Sequence, residues 1–132
     1  MARFKEIGLT AAYPNRRATH EFIISLKPEA KRYHLTAMDF AKRLLDFGIH
    51  APTTYFPLLI PECWLVEPTE TETKEELDQF IAVMQQLQQE AEANPAMIKT
   101  APHTLSVRRL DDVYAAKILD VKWSVPSIEI LV

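Results

Sequence analysis

Three features of the sequence predict an α+β fold, with a small, mainly antiparallel sheet and helices packed on a face. Two stretches carry the helical apolar period, and each opens on a capping box: Thr36 with Asp39, and Thr73 with Glu76. Between them, His50–Thr73 (HAPTTYFPLLIPECWLVEPTETET) carries four of the chain's nine prolines and is nearly uncharged until Glu62. Proline cannot donate to a ladder and restricts the residue before it, so this stretch divides into short extended pieces. The resulting order is strand, helix, strands, helix, then short elements.

Met1–Thr19 is mixed and polar, with a turn signal at Tyr13-Pro14-Asn15. Its thinly spread apolar residues predict a loosely held segment, with 1–12 as a linker. His20–Leu26 (HEFIISL) is rich in β-formers and stops at Lys27-Pro28, which predicts a strand. Glu29–His34 reads as a charged connection. The first helix, starting from Thr36, is expected to bury Met38, Ala41, Leu44 and Leu45, flanked by Phe40 and Phe47. Gly48 stands where a left-handed C-cap belongs. Thr53–Phe56, Leu58–Ile60 and Cys63–Glu67 are predicted as short buried or edge strands. The second helix presents Leu77, Phe80, Ile81, Met84, Leu87 and Ala91 on one face and a solvated, glutamine-rich face opposite. Glu70, Glu72, Glu75 and Glu76 crowd its start, where the macrodipole favours negative charge. Asn94-Pro95 ends it. Beyond, Thr100–Thr104 is extended or turn, Val107–Leu110 a short strand or lead-in, and Asp111 caps a short helix through Ala116. Ile118–Trp123 is expected to be extended, and 124–132 is a tail whose strand-like end, Ser127–Val132, is a swapped edge or disordered.

A chain of 132 residues has room for one domain, here 13–123 with its flanks, and buries enough surface to fold without disulfide or metal. The formal charge of −3 and the isolated pairs Arg16–Arg17 and Arg108–Arg109 give no sign of a nucleic-acid or acidic-membrane partner. No apolar run approaches a membrane span and no signal peptide opens the chain. The single cysteine, Cys63, lies in an apolar run, which predicts an inert buried thiol and a reducing, cytoplasmic setting. Gly8 and Gly48 stand forty residues apart, so no glycine-rich phosphate loop can be built.

Candidate sites are sparse. His20-Glu21 with His50 or His103 could converge on a metal, but no HxxxH, CxxC or HExxH spacing exists. Glu67 and Glu70 could act as paired carboxylates, although strand-end solvation and helix N-terminal charge explain both without chemistry. Arg108–Arg109 could grip a carboxylate or phosphate in a fork, or form salt bridges to Asp111, Asp112 or a glutamate of the long helix.

The runs THEFIISL, AKRLLDFGIHAPTTYFPLLIPECWLVEPTETETKEELDQFI and KTAPHTLSVRRLDDVYAAK closely resemble the C-terminal part of the glycine cleavage system P-protein. That family is the pyridoxal-phosphate-dependent, decarboxylating glycine dehydrogenase. The likeness is nearest to the second subunit of its two-subunit bacterial form and covers about Tyr13 to Trp123. It implies the small C-terminal domain of fold-type I pyridoxal-phosphate enzymes. It also implies a parent activity that decarboxylates glycine and passes the aminomethyl group to the lipoyl arm of the H-protein.

The family's Schiff-base lysine follows a histidine in the larger upstream domain, whereas none of the eight lysines here follows one. The resemblance therefore implies a domain inactive alone, with no cofactor, catalytic or metal residue of its own. Its partner would be a larger cofactor-binding domain or subunit. By position in the matched motifs, His20, Glu67, Thr69, Glu70, His103 and Arg108 are the candidates for lining the cleft or positioning substrate. The alternative is a free-standing binding or regulatory module of the same fold, self-contained or homodimeric through the apolar segments Thr53–Ile60 and Ser127–Val132.

Overall fold

The computed structural model describes residues 1–124; the strand-like tail expected at Ser127–Val132 lies outside them. The fold is α+β, built on a four-stranded antiparallel sheet. Its strands are β1 (Thr10–Ala11), β2 (Phe22–Ser25), β3 (Thr53–Thr54) and β4 (Cys63–Val66), in the order β1-β2-β4-β3. In the central pair Phe22 stands opposite Val66, and Ile24 opposite Trp64. Alternation places these four on one face and Ile23 with Leu65 on the other.

The first face is covered by helices. α3 (Ala37–Leu44, continued by a 3-10 turn over Leu45–Phe47), α4 (Lys74–Ala93) and α5 (Pro95–Lys99) close over it. Phe40, Leu44, Met84, Leu87 and Ile98 pack there with Ile24, Leu26 and Trp64 as one apolar cluster. Trp64, fully buried, donates its indole N–H to the carbonyl of Ala37 at 3.2 Å, so its one polar atom is satisfied where sheet meets helix.

Both capping boxes form as read from the sequence. The Thr36 hydroxyl accepts from the Asp39 N–H, and Thr73 accepts from Glu76, with each acid returning a bond to the cap's own N–H. Gly48 ends the first helical run at φ +71°, a left-handed conformation that glycine adopts without a Cβ penalty. Asp111 caps α6 (Asp112–Lys117) through the Tyr114 N–H.

Several expectations need correction. The amino-terminal segment is not loosely held: α1 (Ala2–Glu6) and β1 bring Phe4 and Leu9 into the core, and Phe4 meets Phe22 and Phe80 edge-on at 5.6 and 5.7 Å. Two well-placed side chains anchor it where a long apolar stripe is lacking. The charged connection at Glu29–His34 belongs to a helix, α2 (Lys27–Tyr33). Pro28 sits in its first turn, where a missing N–H costs nothing, and His34 closes it at φ +55°.

The expected strand Leu58–Ile60 is a turn, and Leu58 and Leu59 are both 88% exposed. Tyr55 and Glu62 take left-handed φ of +63° and +49°, which swings the chain between them out of the ladder. The strand expected at Thr53–Phe56 therefore stops after Thr54, while β4 matches its expected position to within one residue. Val107–Leu110 is irregular and makes no ladder, and 118–124 forms no regular element. In α3 the deepest side chains are Ala37, Phe40 and Leu44, with Ala41 also buried and Met38 and Leu45 half-buried. In α4 Val83 joins the core while Leu77 stays exposed.

Candidate functional site

Where α3 ends, the chain turns at Gly48 and runs as GIHAPT (Gly48–Thr53) along one side of a cleft of about 530 Å³. The rest of the lining is the end of β4, whose Leu65 pairs with Thr53, followed by Glu67, Pro68 and the first turns of α4. Phe47, Ile49, Leu65, Val66, Leu77 and Phe80 supply its apolar surface, and His50, Glu67, Glu72, Glu76 and Gln79 its polar groups. None of these lining residues is a lysine or an arginine. Leu77 is exposed on the cleft, while half-buried Phe80 both lines it and packs on Phe4 of the core. Glu76 is already engaged: its bond from the Thr73 N–H at 2.7 Å holds its carboxyl below the usual range.

Directly behind Phe47 lies an ionic cluster. Arg43 grips Glu90 of α4 through two bonds, Nε to Oε2 at 2.9 Å and Nη2 to Oε1 at 3.1 Å, and Asp46 through Nη1 at 2.7 Å. Its guanidinium also lies 4.9 Å from the centre of the Phe47 ring. The second oxygen of Asp46 accepts from the backbone N–H groups of His103 (2.6 Å) and Thr104 (2.7 Å) and from the Thr104 hydroxyl (2.9 Å). Burial opposes ionisation of Asp46. The Thr104 N–H, the Arg43 guanidinium, the His103 N–H and the Thr104 hydroxyl together outweigh it, so the carboxyl stays well below the usual carboxylate range. The bond from Arg43 likewise lowers Glu90 against its burial. The cluster ties the APHT run (Ala101–Thr104) to the end of α3, next to Phe47 and Gly48.

The residues singled out in the sequence fall in different places. Glu67 lines the cleft. Thr69 and Glu70 are on its exposed outer turn, where the Thr69 hydroxyl bonds that of Thr71 at 2.7 Å. His103 is in the ionic cluster, with Nδ1 3.3 Å from Asp46 and Nε2 2.9 Å from the Thr100 hydroxyl. Arg108 donates to the Pro102 carbonyl at 3.2 Å. His20 is exposed beside Thr19 and is not among the residues that line the cleft. Arg109 forms a salt bridge, though to Asp39 at 2.8 Å and not to Asp111, Asp112 or the long helix. Arg43 and Asp46 went unremarked in the sequence, and Glu90, expected on the solvated face of the second helix, is instead drawn into the pair with Arg43. Their signal was Arg43, a charge beside Leu44 on the apolar side of α3, which demands a buried partner. Cys63 is buried in β4 and burial pushes its thiol up, as an inert cysteine requires.

The molecule is thus a small α+β domain with an open cleft lined by apolar side chains and carboxylates together. Residues 6–106 match the family model described as glycine dehydrogenase, C-terminal domain, and the chain belongs to that family. It is 65% identical to "Probable glycine dehydrogenase (decarboxylating) subunit 2" of Legionella pneumophila (strain Corby) over 118 residues, 89% of this chain and 24% of that protein. The proteins of the same name from Nitrosospira multiformis and Thiobacillus denitrificans are 56% and 59% identical over 127 and 123 residues. These cover 96% and 93% of this chain and 25% and 26% of those proteins. The chain therefore spans about a quarter of the length of these relatives.

Proposed function

We propose that this domain serves a pyridoxal-phosphate-dependent glycine decarboxylase, in which it walls and shapes the reaction cleft while the cofactor is held elsewhere in the enzyme. The complete enzyme would decarboxylate glycine and pass the aminomethyl group to the lipoyl arm of the H-protein, in the cytoplasm. One observation carries this reading. GIHAPT and three residues of EPTETE (Glu67, Pro68 and Glu72), two of the stretches through which the sequence resembles the family, line one cleft, and APHT is bonded to the helix end that shapes it.

Pyridoxal phosphate itself does not fit this cleft. The lining offers no amine for a Schiff base and no arginine or glycine-rich turn for a phosphate, and Glu67 and Glu72 would repel one. The contribution of this chain is instead geometric. Phe47, Ile49, Leu77 and Phe80 would exclude water once a larger domain closes over them. Glu67 and Glu72 set a negative edge suited to an ammonium group. Asp46 and Arg43 fix the Phe47–Gly48 turn from behind.

The test is a hybrid subunit: the full-length Legionella pneumophila subunit 2 with its C-terminal quarter replaced by this chain. It would be assayed with the first subunit, H-protein and cofactor for carbon dioxide released from carboxyl-labelled glycine. Release within about threefold of the unaltered protein is expected. An inactive hybrid that folds and binds cofactor normally would refute the proposal.

A further inference from the structure

Beyond the ionic cluster the chain leaves the body of the domain. Its root is fixed, since Arg109 donates to Asp39 at 2.8 Å and to the Lys99 carbonyl at 2.9 Å. From Leu110 to Ser124, however, every residue is exposed, and α6 buries none of its side chains. The segment is not polar. Leu110, Val113, Tyr114, Leu119, Val121 and Trp123 are large and apolar, with exposure from 58% at Leu110 to 91% at Val121. A six-residue helix does not hold by itself in water, and α6 buries no side chain among the described residues. Together with Leu105, Val107 and Ile118, these side chains present on the order of 1,000 Å² of surface. An area of that size is in the range of the interfaces between domains of one chain.

The length of the relatives points to what covers it. The match to the family model ends at residue 106. Yet a match over 127 of 132 residues can omit only five, and so must take in residues 6–127. The segment therefore recurs, at 56% overall identity, in a protein four times as long. An apolar strap that has no place in its own domain's core, but is kept in the long subunit, belongs against the rest of that subunit.

We propose that residues 110–124 form a strap that docks on the preceding three quarters of the subunit, with Leu119 and Trp123 as its anchors. The proposal rests on reading this chain as the C-terminal part of such a subunit.

Hydrogen exchange over 110–124 tests it, compared between the 132-residue chain and the hybrid subunit described above. The expected result is free exchange in the chain and exchange at least about a hundredfold slower in the hybrid. Leu119→Asp with Trp123→Asp should abolish that protection, and Leu58→Asp with Leu59→Asp should leave it intact. Equal exchange in chain and hybrid overturns the strap. If protection already appears in the chain and grows with its concentration, the occupant is a second copy and the strap is again overturned. A hybrid that releases carbon dioxide but leaves 110–124 unprotected sinks the strap alone. A folded, cofactor-loaded hybrid that protects 110–124 but releases none sinks the enzymatic reading and leaves the docking in place.

Discussion

Asp46→Asn removes one charge and no volume, and its consequences can be worked from the bonds around it. The carboxylate is 2% exposed and accepts three bonds on one oxygen and that of Arg43 on the other. The amide keeps the three acceptor contacts but without charge assistance, which costs about 0.5–1 kcal/mol at each. Its NH₂ then faces the Arg43 guanidinium, donor against donor, which adds about 1 kcal/mol. The total is about 3 kcal/mol, within the range for breaking a buried ion pair, and corresponds to a fall in Tm of about 10 °C for a chain of this size. Urea unfolding at two pH values provides the assay. Because the folded carboxyl lies below its ordinary range, its contribution is complete above the unfolded pKa of about 3.9 and is lost as pH falls. At pH 3 the gap between the two proteins should therefore be about 1 kcal/mol narrower than at pH 7. A gap under about 1 kcal/mol at pH 7, or one that widens in acid, would refute the reasoning.

Other substitutions test separate parts of the fold. Replacing Leu58 and Leu59 by serine should change unfolding free energy by less than about 0.5 kcal/mol in this chain; a loss above 2 kcal/mol would mean the turn is packed after all. Trp64→Phe should cost about 2–3 kcal/mol, through the lost indole bond to Ala37 and the space left behind. In its fluorescence the remaining Trp123 should be fully open to acrylamide. Cys63 should react with a thiol reagent only as fast as the chain opens, and raising the pH from 7 to 8.5 should accelerate the unfolded chain far more than the folded one.

Much of the fold was legible in the sequence, for reasons that are local. Capping boxes and the helical period are written within a few residues, which is why α3, α4 and the Asp111 cap fall where expected. Errors arise where the outcome depends on distant contacts. Phe4 and Leu9 look too sparse to anchor anything until Phe22 and Phe80 are seen around them. Leu58–Ile60 has a strand's composition, but the backbone turns at Tyr55 and Glu62 carry it off the ladder. The candidate site divides in the same way. Glu67 follows from its place at a strand end, and His103 is found in a structural cluster. The convergence of Arg43, Asp46 and Glu90 requires two helices and a loop to be placed together, which spacing alone does not encode.

If this domain shapes the cleft of a glycine decarboxylase, as we propose, the cofactor is held elsewhere in the enzyme. Borohydride reduction of the hybrid subunit in the presence of pyridoxal phosphate, followed by peptide mass mapping, tests it most directly. The reduced cofactor is predicted on a lysine upstream of this chain, with none attached to the isolated chain under the same treatment. Stoichiometric attachment to any of the eight lysines of this chain would contradict the account.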